Sequence, residues 1–211
     1  MDPKIWGIPM WNILFDVCWF LESKKGNDHE LKKGIFYLFQ SLKYLLPCIY
    51  CRESYKYFLK ELHEIPPIGP GALRWIYDLK NMVNAKLKKS VTNLSYETFR
   101  CRMQGLSGMS SAQNVFDVIC ILALNIHCPS KDVTETQKKH AFFYFIESVE
   151  ILSKFMSFPC LKKKIKKITE KDVKNRNALF RYLSTEYSSE NEHFTSKELI
   201  EKYSYCKVKK K

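Results

Sequence analysis

The fold is decided by residues 29–63, HELKKGIFYLFQSLKYLLPCIYCRESYKYFLKELH. In the first half of this stretch, apolar side chains recur three and four positions apart, at Leu31, Ile35, Leu38, Phe39, Leu42 and Leu45. This spacing predicts a helix over residues 29–46. Pro47 ends or kinks that helix, because proline lacks a backbone N–H. A second apolar stripe, from Cys51 to Leu62, predicts another helix over residues 48–63.

Two cysteines stand at the junction of these helices, in the sequence Pro47-Cys48-Ile49-Tyr50-Cys51. Cysteines three apart on one helical turn can close a small disulfide that is easily reduced and remade. Cys48 falls near the helix N-terminus, where the dipole and free backbone N–H groups favour a thiolate. Alone, the motif also fits half of a zinc site or two buried thiols. Arg52 is expected to be exposed, and a role in tuning the thiol is the alternative.

The rest of the chain continues the helical pattern. Further helices are predicted over residues 9–22, 72–88, 95–103, 112–127, 134–158, 170–187 and 196–206. No stretch alternates as a strand would, so the sequence predicts an all-α fold: a four-helix bundle with a short fifth helix, then a second helical region. Residues 104–111 divide the chain into 1–104 and 105–211. A core-forming extension is the favoured interpretation of the second region, with a dimer interface or a substrate-binding surface as alternatives.

Composition narrows the class of protein. The chain has 211 residues, 45% of them hydrophobic, and a formal charge of +13, with a basic C-terminal tail. A basic balance attracts nucleic acid, but no glycine-rich phosphate loop and no RNA-binding aromatic motif is present, so nucleic-acid binding is disfavoured. We expect neither a signal peptide nor a membrane span, since the most apolar segment, 115–126, is too short. The five histidines have no metal-binding spacing, so no metal is expected.

Two further motifs flank the cysteine pair. Trp6-Gly7-Ile8-Pro9-Met10-Trp11 places a glycine between tryptophans, where a flat ligand could approach the backbone; a core role for Trp11 is the alternative. Asn81 and Asn84 share one helix face after Trp75. Three lysines lie next to this face and add positive charge: Lys80, Lys86 and Lys89. A polar, basic face beside apolar residues suits an anionic cofactor with a planar part, although a solvated face is equally compatible.

The order of these three motifs resembles the Erv/ALR family of FAD-linked sulfhydryl oxidases over residues 4–100. The matching residues are Trp6, Gly7, Trp11, Pro47, Cys48, Cys51, Trp75, Asn81, Val83, Asn84, Leu87 and Lys89. Phe15, Lys80 and Lys88 stand where the family usually has His, His and Gly. Tyr77 and Leu94 stand where many cellular members have a structural disulfide. Phenylalanine at position 15, the extra helical region and the Lys/Asn/Ile-rich composition favour a member from a large DNA virus.

The resemblance implies a thiol oxidase with Cys48 and Cys51 as its catalytic disulfide. Cys48 would face substrate thiols and Cys51 would lie against FAD, so that electrons pass from substrate through the disulfide to FAD and then to O2, giving H2O2. The residues implied to bind FAD are Gly7, Trp11, Phe15, Trp75, Lys80, Asn81, Asn84, Lys86 and Lys89.

The resemblance also implies partners: thiol-containing protein substrates, a thioredoxin-like carrier as a further candidate, and a homodimer through the first helices. The cytoplasm of an infected cell is the expected location, with the virion as a second. The remaining cysteines are expected to be buried or idle, with shuttle or structural disulfides left open: Cys18, Cys101, Cys120, Cys128, Cys160 and Cys206. The alternative to an enzyme is a basic helical binding or assembly protein with a structural or zinc-binding cysteine pair.

Overall fold

A computed structural model describes residues 3–26, 28–87, 94–106, 112–156 and 168–186 of the chain. These residues form eight α-helices and no strand, which confirms the all-α prediction. The helices are α1 (Pro3–Glu22), α2 (His29–Leu45), α3 (Ile49–Glu61), α4 (Ala72–Lys86), α5 (Tyr96–Leu106), α6 (Ala112–Ile126), α7 (Glu135–Phe155) and α8 (Arg176–Glu186). None of the described helices combines the length and the apolar character that crossing a membrane requires.

Helix ends follow local capping rather than the apolar pattern. α1 begins at Pro3, six residues before the predicted start, and proline is well tolerated at a first helical position, where its missing N–H has no partner. Pro9 lies further inside this helix, where it cannot donate to a carbonyl of the preceding turn. α8 begins at Arg176 instead of residue 170, because the Asn175 side chain accepts the backbone N–H of Ala178 (2.9 Å) and caps the helix there. The predicted helix over 196–206 lies outside the described residues.

The last turn of α4 is shorter than predicted. The apolar spacing that predicts a helix over residues 72–88 also predicts a buried Leu87, and this was wrong, since Leu87 is 49% exposed. The reason is that α4 ends at Lys86 and Leu87 is the C-cap residue, so the helical register that predicted burial no longer applies.

The two halves of the chain share one hydrophobic core. α1 packs against α4 and α6, α2 packs against α3 and along the length of α7, and α8 packs on α6. Buried side chains from all of these helices form one continuous cluster, in which Cys18 and Cys120 are fully buried. α6 and α7 therefore cover faces of α1 and α2 that would otherwise be open to solvent.

Gly34 is the point of closest approach between α2 and α7. A β-carbon on Gly34 would lie 2.7 Å from Cγ2 of Ile151, closer than two carbons can approach. Alanine favours a helix interior by about 1 kcal/mol over glycine, but forcing a methyl group into a packed contact costs about 1–3 kcal/mol. We therefore expect Gly34→Ala to lower the free energy of unfolding, measured by urea denaturation.

The matched control removes the obstacle. In an Ile151→Ala background the new methyl has room, so adding Gly34→Ala should then be neutral or stabilising. A stabilising effect of Gly34→Ala in the wild-type background would show that α2 and α7 do not pack this closely.

Candidate functional site

Cys48 is the N-cap residue of α3. Its backbone is extended (φ −125°, ψ 126°), and its Sγ accepts the backbone N–H of Cys51 at 3.3 Å. A sulfur here faces the free N–H groups and positive end of the helix dipole, which stabilise a thiolate. The prediction that Cys48 lies at the N-terminus of this helix is confirmed.

The two cysteines of the pair have different environments. Both are half-buried thiols. Burial raises the pKa of Cys51 to about 12, aided by the hydrogen bond and charge of Cys48, while Lys86 and Arg52 act in the opposite direction. In the reduced pair, Cys51 therefore keeps its proton at neutral pH. Tyr50, between the cysteines, is 70% exposed, so solvent reaches the turn that carries them.

Lys86 joins the cysteine turn to α4. Its Nζ donates to the backbone carbonyl of Tyr50 at 2.7 Å and also to the Ser54 hydroxyl. A groove of about 660 Å³ runs beside this contact between α3 and α4. Lys86, a residue predicted to bind the cofactor, therefore contacts the helical turn that carries both cysteines.

A second group of predicted residues meets between α1 and α4. The Trp11 and Phe15 rings stack with centroids 5.5 Å apart, and Lys80 Nζ lies 4.1 Å from the Trp11 centroid. Phe99 of α5 adds an edge contact to Phe15 at 5.6 Å. Phe99 was not predicted, although an aromatic residue in the short fifth helix was visible in the sequence.

The space beside this group is open at Gly7. Apart from its two chain neighbours and the backbone of its own helix, no described atom lies within 4 Å of the position that a Gly7 β-carbon would occupy. The neighbouring Trp6 Nε1 is buried and has no hydrogen-bond partner among the described residues. Gly7 therefore leaves the helix backbone accessible on its own side, whereas the Trp6 indole N–H is enclosed in the interior.

The other predicted cofactor residues are distributed unevenly. Asn84 is buried and Asn81 half-buried on α4. Trp75 lies in the core, where Nε1 donates to the Leu62 carbonyl at 2.5 Å and the ring meets Phe39 edge-on at 5.0 Å. Lys89 is outside the described residues, as are Cys160 and Cys206.

Arg52 is buried, and the expectation that it would be exposed was wrong. Only 2% of its surface is accessible. Its Nη1 donates to the Leu46 carbonyl (2.5 Å), Nη2 to Ser130 Oγ (2.6 Å), and Nη2 and Nε to the two carboxylate oxygens of Asp132 (2.6 and 2.8 Å). This contact joins residues 80 positions apart, and a buried guanidinium needs such pairing because an unpaired charge is costly.

The connection between α6 and α7 carries further polar contacts behind the cysteine turn. Asn125 Nδ2 donates to the Leu45 carbonyl at 2.8 Å, at the C-terminal end of α2. The buried Lys138 donates to the carbonyls of Asn125 (3.0 Å) and Cys128 (2.7 Å). Carbonyls at helix ends lack partners within the helix, so these donors satisfy groups that would otherwise be buried unpaired.

Tyr77 and Leu94, where the family places a disulfide, are in contact. Tyr77 Oη donates to the Leu94 carbonyl at 2.7 Å, and the Tyr77 ring packs against Tyr96 and Phe99. A hydrogen bond and aromatic packing therefore attach α5 to α4 at this position.

Comparisons of the chain with protein-family models, with curated proteins and with solved structures found no match. Within the described ranges, no group of three or more His, Cys, Asp or Glu side chains is arranged to hold a metal ion.

Proposed function

We propose that the chain is an FAD-dependent thiol oxidase that forms disulfide bonds in proteins. The observation that carries the proposal is the contact of Lys86, from the Asn-containing α4 motif, with the Cys48–Cys51 turn. In the proposed reaction two substrate thiols lose two electrons and two protons and form one disulfide, and O2 takes up both to become H2O2.

The Cys48–Cys51 disulfide is the proposed electron relay. A substrate thiolate attacks Cys48 Sγ, the disulfide breaks, and the electron pair passes to Cys51. A second substrate thiol then attacks the mixed disulfide, so that the oxidised product leaves and Cys48 is released as a thiolate. The helix N-cap position of Cys48 supports the second step, because it stabilises the Cys48 thiolate that is released there. The Cys48–Cys51 disulfide re-forms when the pair loses its two electrons, and FAD, when bound, would supply the redox chemistry that links this oxidation to O2.

The residues around the α1–α4 group fit an anionic, planar cofactor. Trp11 and Phe15 offer partly buried aromatic faces, and Lys80 lies beside them. Asn84 can orient a polar edge, and the open space at Gly7 admits a flat group close to the backbone. Asn81, Trp75, Lys86 and Lys89 complete the proposed set, with Trp75 acting through the core and Lys86 at the cysteine turn.

The decisive experiment is an absorption spectrum of the purified protein followed by oxygen uptake. The proposal predicts a yellow protein with bound FAD that consumes O2 and produces H2O2 when supplied with dithiothreitol. A colourless protein that contains stoichiometric zinc would support the alternative, a non-enzymatic binding or assembly protein with a metal-bound cysteine pair.

Gly7→Ala should separate cofactor binding from stability. No described atom obstructs the new methyl group, and alanine is favoured in a helix, so the free energy of unfolding without FAD should stay equal or rise by up to about 1 kcal/mol. The affinity for FAD should fall, because the methyl group enters the space proposed for the cofactor. The measurement is titration of the apoprotein with FAD followed by flavin fluorescence.

The neighbouring residue provides the control. Ile8→Ala changes an exposed side chain on the same turn and should leave FAD affinity unchanged. Unchanged FAD affinity in Gly7→Ala would exclude Gly7 from the binding site.

Assembly and location follow from the same proposal. In this proposal the oxidase bundle consists of the first four helices, and α5 packs on α4. A homodimer remains a prediction, but its surface must lie elsewhere than on the faces of α1 and α2 that α6 and α7 cover. We further propose a large DNA virus as the source, with action on viral proteins in the cytoplasm or virion, since the cytosol keeps thiols reduced and disulfides there need a dedicated oxidase.

A further inference from the structure

The buried Arg52–Asp132 ion pair lies directly behind the cysteine pair. Burying two charges costs desolvation free energy that their attraction often fails to recover, so such a pair is weak evidence for a stabilising role alone. Its best-attested use is to specify one arrangement of the surrounding elements. The position of the Arg52–Asp132 pair indicates which arrangement is specified.

Arg52 fixes the backbone on both sides of the cysteine pair. It belongs to the first turn of α3, immediately after Cys51, and its Nη1 also donates to the carbonyl of Leu46, two residues before Cys48. The guanidinium therefore links the residue before Pro47 to the first turn of α3. The Asp132 carboxylate accepts from the other two guanidinium nitrogens, Nε and Nη2. Ser130 Oγ also accepts from Nη2 and donates to Asp132 at 2.6 Å.

We propose that Asp132 is a positioning residue for the Cys48–Cys51 pair: through Arg52 it fixes the turn that carries the two sulfurs and neutralises the positive charge behind them. The inference rests on the proposed thiol-oxidase function for its purpose. It also gives the second helical region a role, because Asp132 lies in the connection between α6 and α7.

Charge balance at the pair follows from this arrangement. Three described charged groups act on Cys51: Cys48 opposes its thiolate, while Arg52 on α3 and Lys86 from α4 favour it. Asp132 faces Arg52 and cancels much of its field. Loss of the Asp132 charge should therefore lower the pKa of Cys51, and loss of the Arg52 charge should raise it.

The test is the pH dependence of alkylation of the reduced full-length protein by iodoacetamide, read by mass spectrometry. Trypsin cuts after Lys43 and Arg52, so both cysteines fall in the peptide 44–52; in Arg52→Gln the peptide extends to Lys56. Fragmentation of the peptide assigns the label to Cys48 or to Cys51. Asp132→Asn should raise the alkylation rate of Cys51 about three- to tenfold, and Arg52→Gln should lower it by a similar factor. Circular dichroism establishes that each variant is folded.

Opposite shifts in the two variants support the inference. Shifts in the same direction would reveal simple loosening of the turn, and unchanged rates would reveal no influence of Asp132; either result overturns it. Asp132→Asn keeps the shape of the side chain and one acceptor oxygen, so it remains informative if Arg52→Gln does not fold.

The control is Glu147→Gln, which removes the exposed Lys33–Glu147 ion pair between α2 and α7 without touching the cysteine turn, and its rate should equal that of wild type. Alkylation requires no flavin and no turnover. If wild type consumes no oxygen, the proposed function fails, while the alkylation rates still decide whether Asp132 controls the pair.

Discussion

Cys51→Ala is expected to abolish oxygen uptake with dithiothreitol while the protein keeps its FAD and its fold. Without Cys51 no disulfide can form at the N-terminus of α3. A substrate thiol then has no disulfide to attack, so it cannot be oxidised there. We expect a loss of about a hundredfold or more in kcat, because the residue acts in every turnover. Cys51 is only half-buried, so the smaller side chain should cost little stability.

The measurement combines an oxygen electrode with the flavin spectrum of each purified variant. Cys48→Ala should be equally inactive, since it removes the sulfur that substrate attacks. Cys101→Ala is the matched control, because Cys101 is an exposed thiol on α5 and should retain wild-type uptake. Oxygen uptake that survives Cys51→Ala would refute the role of Cys51 as electron relay. If the variant purified without flavin, Cys51 would instead be needed for cofactor binding.

The helices and the position of the cysteine pair could be predicted because each depends on neighbours in sequence. Apolar spacing located α2, and Pro47 marked its end. Cys48 then fell at the start of α3 by position alone. The predicted start was wrong where a cap decided the helix end. The Asn175 side chain caps α8, so this helix begins several residues after the predicted position.

The polar contacts behind the cysteines could not be predicted from spacing. Arg52 and Asp132 are 80 residues apart, and no local pattern distinguishes either from an ordinary surface charge. Asn125 was the visible signal: a lone amide inside an apolar segment needs a buried partner, and it has one in the Leu45 carbonyl.

The second helical region is better described as part of one core than as an attachment. α7 lies along α2, with Gly34 against Ile151, and α6 lies on α1. Because α2 ends at the cysteine turn, a change in the α2–α7 contact would be transmitted to the pair through Leu45 and Leu46. Mutations far along the chain are therefore expected to influence the chemistry proposed for residues 48 and 51.

Arg52→Met should be the most destabilising of the single substitutions considered. It leaves the Asp132 carboxylate largely buried without its guanidinium and the Leu46 carbonyl without its donor. Removal of one partner from a buried ion pair costs about 3–5 kcal/mol. We expect a loss of this size in the free energy of unfolding at pH 7, measured by urea denaturation of the reduced protein.

The loss should depend on pH in one direction. Arg52 holds the pKa of Asp132 well below its usual range, first through their hydrogen bonds. A carboxylate with a lowered pKa contributes stability above its unfolded pKa of about 3.9, and the contribution is lost as pH falls. Arg52→Met lacks that contribution, so the difference in unfolding free energy from wild type should be largest at pH 7 and shrink below about pH 4.

The control is Lys33→Met, which breaks an exposed ion pair and should change stability little at either pH. A difference between wild type and Arg52→Met that stays constant from pH 7 to pH 3 would mean that the lost packing of the long side chain, and not its pairing with Asp132, carries the effect.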